Sequence, residues 1–130
     1  MKATSKRTTK KRSPKKGISA ELTAAIAAAL DRKAEDMVVL DLTKASAFTD
    51  FFVICTATNR RQAQAIADAV KEALLAKQGA RPALIEGYEK GDWILIDYFD
   101  FIVHVFMPSA REFYSLERLW GDAERVEVSA

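Results

Sequence analysis

Residues able to do acid–base or nucleophilic chemistry are scarce, since the 130-residue chain has one cysteine, Cys55, and one histidine, His104. A catalytic triad needs a nucleophile, a base and an orienting acid within hydrogen-bond reach. His104 falls inside a predicted strand, and Cys55 falls inside the most apolar strand, where burial makes a thiol unreactive. We therefore expect Cys55 to be a core residue and the chain not to be an enzyme.

The sequence contains few of the residues and motifs that bind metals and cofactors. One histidine excludes a two-histidine metal motif, one cysteine excludes an internal disulfide, and no Gly-rich phosphate loop occurs. Four aspartates at predicted strand ends are the candidates for magnesium ligands in nucleotide chemistry: Asp41, Asp50, Asp97 and Asp100. Carboxylates at such positions are more often turn or cap residues, so we expect no metal and no cofactor and keep a residual nucleotidyltransferase as an alternative.

Charge divides the chain into two parts. Residues 1–17 carry eight basic residues and no acid, whereas residues 18–130 hold twelve bases against eighteen acids. The N-terminal segment is nearly free of apolar residues, so we expect a disordered basic arm. Such an arm either binds nucleic acid through phosphate neutralisation or acts as a solubilising extension. The candidate nucleic-acid contacts are Lys10, Lys11, Arg12, Lys15 and Lys16.

The composition, 49% hydrophobic and 29% charged, is typical of one globular domain. No apolar run reaches the ~18 residues that span a bilayer, and the N-terminus lacks the apolar stretch of a signal peptide. We expect no membrane association and a cytoplasmic protein, and an organellar presequence is less favoured because no amphipathic apolar stripe accompanies the bases. The predicted divisions are the arm 1–17, a folded domain 18–123 and a C-terminal tail 124–130.

Hydrophobic periodicity predicts alternating helices and strands. Ser19 and Asn59 are candidate N-caps, with Gln62 at capping-box spacing from Asn59, and Gly79 suits a helix C-terminus. The predicted helices are 19–33, 59–79 and 109–120, and the predicted strands are 37–42, 51–57, 83–86, 93–97 and 101–106. This order favours an α/β fold with a mixed sheet flanked by helices.

The last two strands predict a hairpin with an aromatic face. With Tyr98 and Phe99 at its tip, Trp93 lies opposite His104, and both share one side with Leu95 because side chains alternate. The other side is purely apolar and suits the core. Aromatic anchors of this kind are enriched in protein–protein interfaces. The alternatives are that helices cover both faces, so that Trp93 only packs, and that His104 is a neutral imidazole satisfied by a neighbour.

The predicted final helix carries one apolar stripe. Its members are Phe113, Leu116, Leu119 and Trp120. Residues three and four positions apart lie on the same face of a helix. We therefore expect the stripe to face the sheet, with Trp120 closing the core rather than touching a ligand.

Several motifs resemble those of the ribosomal silencing factor (Iojap-like) family, in the expected order over about 22–123. The matching segments are 49–54 (TDFFVI), 86–87 (EG), 93–98 (WILIDY), 103–106 (VHVF) and 111–120 (REFYSLERLW). The basic arm is not part of the family pattern. Two positions depart from it: Ala57-Thr58-Asn59 replaces a Gly-x-Ser-like element, and Phe99 stands where the hairpin turn often has glycine. Phenylalanine tolerates a positive φ poorly, whereas glycine adopts it readily.

The resemblance implies a nucleotidyltransferase-like α/β fold without catalytic motifs. It implies binding to the fourteenth protein of the large ribosomal subunit, which blocks joining of the small subunit and represses translation. It also implies a homodimer, as relatives commonly form. The family's tryptophan corresponds to Trp93, and the neighbouring Leu95, Asp97, Tyr98 and His104 are the other candidates for the partner-facing patch.

Overall fold

A single mixed sheet organises the chain in this computed structural model, which describes residues 19–45, 47–126 and 128. In those residues the sheet has six strands: β1 (Glu35–Asp41), β2 (Phe51–Thr56), β3 (Leu84–Glu86), β4 (Trp93–Asp97), β5 (Phe101–Phe106) and β6 (Glu124–Val126). Their order is β3-β4-β5-β2-β1-β6. The central pair, β2 and β5, is parallel, and the other pairings are antiparallel. The predicted α/β class with a mixed sheet is confirmed, whereas the basic arm 1–17 lies outside the described residues.

Helices cover the two faces of the sheet unequally. The long helices α1 (Ala20–Asp31) and α2 (Arg60–Gln78) pack on one face, which we call the helical face. The short helices α3 (Pro108–Tyr114) and α4 (Leu116–Leu119) lie on the other face. β2 and β5 are apolar and almost fully buried because they are central strands with residues packed on both sides.

The predicted caps of the long helices are confirmed. The Ser19 side chain accepts a hydrogen bond from the amide of Leu22, and the Asn59 side chain accepts one from the amide of Gln62. The Gln62 carboxamide oxygen accepts from the amide of Thr58, so the segment that departs from the family pattern caps α2. Gly79 ends α2 with φ 64°, a left-handed conformation that glycine adopts without strain.

The prediction of one continuous helix over 109–120 is wrong. Ser115 has φ 44° and ψ 55°, and this left-handed residue separates α3 from α4. The break turns Phe113 and Leu119 towards solvent, whereas Leu116 and Trp120 pack against the sheet. The predicted single stripe therefore does not form. The expectation that Trp120 closes the core agrees with its edge-on contact with Phe52, at 6.0 Å between ring centroids.

Arg111 ties both short helices to the sheet. Its guanidinium donates to the Thr56 hydroxyl at 2.7 Å, at the end of β2, and to the Glu117 carboxylate at 2.8 Å, in α4. The hydrogen bond from Arg111 is the main cause that lowers the pKa of Glu117. Because Arg111 is largely buried, this charge-assisted contact fixes where α3 and α4 lie on the sheet.

The predicted hairpin register is wrong by two residues, although its face assignment is confirmed. Trp93 pairs with Phe106, and Leu95 pairs with His104. A two-residue shift keeps every side chain on its predicted face, since side chains alternate with period two. Trp93, Leu95 and His104 therefore still share one face, and the apolar face of the hairpin lies under α1 and α2.

The turn of the hairpin explains this shift. The amide of Tyr98 donates to the carbonyl of Phe101 at 2.9 Å, so the tip consists of Phe99 and Asp100 rather than Tyr98 and Phe99. Phe99 adopts φ 72°, the conformation that glycine would favour there. Its amide donates to the Asp97 carboxylate at 2.8 Å, which supports the turn. Phe99 therefore adopts a positive φ in spite of its large side chain.

The segment expected as a tail, 124–130, contributes a strand to the sheet. β6 pairs antiparallel with β1, with Val39 opposite Val126. The sequence Glu-Arg-Val is too short for its alternation of polar and apolar residues to predict a strand. β6 therefore forms because the edge of β1 is available for pairing.

Replacing Gly87 by alanine is expected to destabilise the domain by about 3 kcal/mol or more, because a backbone clash would add to the strain of a positive φ. Gly87 has φ 79°, and a Cβ there would collide with the carbonyl oxygen of Trp93, a backbone atom that cannot move aside without displacing β4. Gly79→Ala is the matched control, because Gly79 is also left-handed but has open space around it, so about 1 kcal/mol is expected. Urea unfolding measures both, and equal losses would show that the close approach is unimportant.

Candidate functional site

Four rings form a cluster on the sheet face that carries α3 and α4; we call this face the aromatic face. Its members are Phe52, Trp93, His104 and Phe106. The indole of Trp93 stacks on Phe106 at 5.0 Å between centroids, and His104 meets the ring of Phe52 edge-on at 4.5 Å. Two neighbouring strands supply three of the rings, and β2 supplies the fourth, so strand alternation places them together.

Trp93 and His104 are joined by a hydrogen bond. The indole Nε1–H donates to His104 Nδ1 at 3.1 Å. An imidazole that accepts at Nδ1 and is neutral carries its proton on Nε2. That Nε2 is buried and has no hydrogen-bond partner among the described residues. Burial lowers the pKa of His104 to about 3, because the charged imidazolium would lose its hydration. His104 is therefore neutral at physiological pH.

On its outer side, the indole of Trp93 contacts an exposed aromatic ring of α3, which in turn contacts a second one. Tyr114 lies 4.5 Å from Trp93 between centroids, and Phe113 meets Tyr114 edge-on at 5.0 Å. Phe113 is 79% exposed and Tyr114 is 48% exposed, while Trp93 is half-buried. We call these three residues the aromatic edge. Adjacent exposed aromatic side chains of this size mark interaction sites more often than isolated ones do.

The sequence singled out Trp93 but missed Phe113 and Tyr114 as surface residues. A continuous helix would have turned Phe113 inward, whereas the left-handed Ser115 ends α3 just after Tyr114. A single serine inside an otherwise helical pattern does not by itself predict the end of a helix.

The five residues of the predicted partner-facing patch do not lie at one depth. Trp93, Leu95 and Asp97 are half-buried on the aromatic face. His104 is 3% exposed beneath Trp93, and Tyr98 is 6% exposed and packs on the helical face. Tyr98 stacks on Phe101, and burial raises the pKa of its hydroxyl to about 12. The structure thus brings three of the five residues together at the surface and places two in the interior.

Two of the residues considered for chemistry, Cys55 and Asp41, have structural roles: one lies in the core and the other in a turn. Cys55 is fully buried, and burial raises the pKa of its thiol to about 12, so the predicted core role is confirmed. Asp41 accepts hydrogen bonds from Thr43, as a turn residue does. Among the residues that the structure describes, no group of three histidine, cysteine or acidic side chains is arranged to hold a metal ion. The same part of the chain has no helix long and apolar enough to cross a membrane.

A groove of about 620 Å³ lies between the end of β1 and the turn after α4. Its lining combines acids and bases with the Trp120 indole: Asp41, Lys44, Ala45, Arg118, Leu119, Trp120, Gly121, Asp122, Ala123 and Glu124. Such a mixture selects neither an anion nor a cation. The aromatic edge is therefore the better candidate for the functional site.

Acidification is expected to destabilise the domain through His104. Between pH 6.5 and about 3 the unfolded chain binds a proton on this imidazole that the folded chain does not bind. The free energy of unfolding therefore falls as the pH falls, by up to about 1.4 kcal/mol per pH unit for one proton. Urea unfolding of the wild type and His104→Phe from pH 7 to pH 4 isolates this contribution, because the carboxylates titrate in both. If the free energy of unfolding falls equally with pH in the wild type and in His104→Phe, the contribution of His104 is contradicted.

Comparison with known proteins identifies relatives over most of the chain. A family model described as "Ribosomal silencing factor during starvation" matches residues 15–130. A ribosomal silencing factor of Halalkalibacterium halodurans is 44% identical over 104 residues, which cover 80% of this chain and 88% of that protein. The corresponding protein of Bacillus subtilis is 40% identical over 104 residues, covering 80% and 87% of the two chains.

Solved structures agree with this relationship. The crystal structure of a Chromobacterium violaceum protein superposes with a TM-score of 0.74 at 32% identity, covering 85% of this chain and 90% of that one. The residues matched by the family model include the sheet, both long helices and the segment that carries the aromatic edge. The chain belongs to the ribosomal silencing factor family.

Proposed function

We propose that this protein binds the large ribosomal subunit through its fourteenth protein and blocks joining of the small subunit, which represses translation. The observation that carries the proposal is the aromatic edge of Trp93, Phe113 and Tyr114, which lies within the region matched by the family. Large aromatic side chains supply most of the binding energy in many protein interfaces. The proposed contact surface comprises these three rings with Leu95 and Asp97.

Steric blocking is compatible with the size of the protein. Its accessible surface is 7653 Å². A typical specific interface covers about 800 Å² per partner, about a tenth of that area. Most of the domain would project from the ribosomal surface as an obstacle to the second subunit. This activity requires affinity and bulk but no catalytic group.

Charge supports the choice of a ribosomal partner. Residues 18–130 carry six more acids than bases, and ribosomal proteins are generally basic, so complementary potentials would speed encounter. The arm 1–17 has the opposite sign and suits contact with ribosomal RNA phosphates. We place the protein in the cytoplasm, where its proposed ribosomal partner acts. The homodimer implied by the family stays a prediction, which sedimentation equilibrium of the full chain tests.

Trp93→Ala is expected to weaken binding to isolated large subunits by at least about tenfold, since interface tryptophans are frequent hot spots. The measurements are co-sedimentation with large subunits and the fraction of whole ribosomes that re-form after the two subunits are mixed. Leu75→Ala is the matched control, because Leu75 is an exposed leucine on α2, which packs on the helical face. A folded Trp93→Ala protein that binds as the wild type does would contradict the proposed surface.

Deletion of residues 1–17 is expected to weaken binding at low salt and to reduce its salt dependence, because contacts with phosphates release counterions. Binding titrations between about 50 and 200 mM salt compare the full chain with the deletion variant. If binding disappears at every salt concentration, the arm rather than the aromatic edge provides the attachment, and the protein acts as an RNA-binding module.

A further inference from the structure

A buried polar group without a partner needs an explanation, and His104 is such a group. Its Nε2 carries the proton of the neutral ring yet has no acceptor within the described part of the chain. Leaving a buried donor unsatisfied costs about 1–3 kcal/mol. An apolar ring between the phenylalanines would avoid this cost. The imidazole contributes one polar contact that a phenylalanine could not make, the acceptor Nδ1 for the Trp93 indole.

The surrounding rings restrict the plane of the imidazole. Phe106 lies nearly parallel to it, with an interplanar angle of 9°, and Phe52 meets it at 78° with 4.5 Å between centroids. Within that plane Nδ1 points towards β4, where the indole nitrogen of Trp93 meets it at 3.1 Å.

Stacking by itself leaves the indole free to slide or flip. Trp93 stacks on Phe106 with an interplanar angle of 29° and meets Tyr114 at a tilt of 44°. Ring contacts do not select which edge of the indole faces inward, whereas a hydrogen bond does. The His104 bond turns the nitrogen-bearing edge of the indole inward.

We propose that His104 is a positioning residue that orients Trp93 for docking, so that the partner meets the indole through its carbon atoms and not through its N–H. This inference rests on the proposed function of the aromatic edge and deepens it. It replaces the expectation that His104 itself contacts the partner. The complementary surface would then be an apolar pocket that needs no acceptor for the indole nitrogen.

A double-mutant cycle tests the inference. His104→Phe keeps a planar ring but removes the acceptor, and we expect about fivefold weaker binding to isolated large subunits, the factor that corresponds to one neutral hydrogen bond. Trp93→Phe removes the donor. In the Trp93→Phe background, adding His104→Phe is expected to cause no further loss of affinity, because the bond is already absent. Equal effects of His104→Phe in both backgrounds would overturn the inference.

Two further variants separate positioning from general destabilisation. Val105→Ala changes another buried side chain of β5, one that faces α1 and α2, and it is expected to bind normally while folded. His104→Asn keeps an acceptor atom on the same branching carbon as Nδ1, and it is expected to restore binding relative to His104→Phe. Failure of this rescue would contradict the positioning role.

The indole N–H resonance of Trp93 supplies a readout that does not involve the ribosome. NMR on the free protein is expected to show slow solvent exchange of this proton in the wild type and fast exchange in His104→Phe, with Trp93→Phe assigning the signal. Unchanged exchange in His104→Phe would overturn the inference. Changed exchange, with Trp93→Ala still binding large subunits normally, would uphold the orientation and refute the proposed function instead.

Discussion

Unequal cover of the two sheet faces is the constraint on which the rest of this structure depends. The helical face is sealed by α1 and α2, which supply half of the buried residues in the larger apolar cluster. The opposite face has only the short α3 and α4, held in place by Arg111 between Thr56 and Glu117. Since these helices are too short to cover the sheet, the ring of Trp93 stays partly open and continues into Tyr114 and Phe113. A hydrophobic surface is thus built into the fold.

The same packing explains why the titratable residues are poorly suited to catalysis. Cys55 and His104 both lie in the central strands, where loss of hydration holds each in its neutral form. A general base has to exchange protons near the working pH, which a histidine with a pKa of about 3 does not do. His104 instead accepts a hydrogen bond from the indole of Trp93.

Several features could be predicted from local patterns. Ser19, Asn59 and Gly79 end helices through contacts with residues a few positions away, so their roles are visible in the sequence. The faces of the hairpin were also predictable, since alternation survives a register error of two residues. The register itself was not, because it depends on Phe99 accepting a positive φ with help from Asp97. β6 was missed since three residues form a strand only beside an existing edge.

By itself, the amino-acid sequence determined the α/β class, the apolar central strands, the family relationship and the face of the hairpin on which Trp93 lies. These follow from periodicity and from motifs that are contiguous in the chain. The tertiary structure alone decided the depth of each site residue, burying Tyr98 and His104 while exposing Phe113 and Tyr114. Depth depends on which elements pack over a residue. The exposure of Phe113 and Tyr114 depends on the left-handed Ser115 and on the buried Arg111, which contacts Thr56, 55 positions away in the chain.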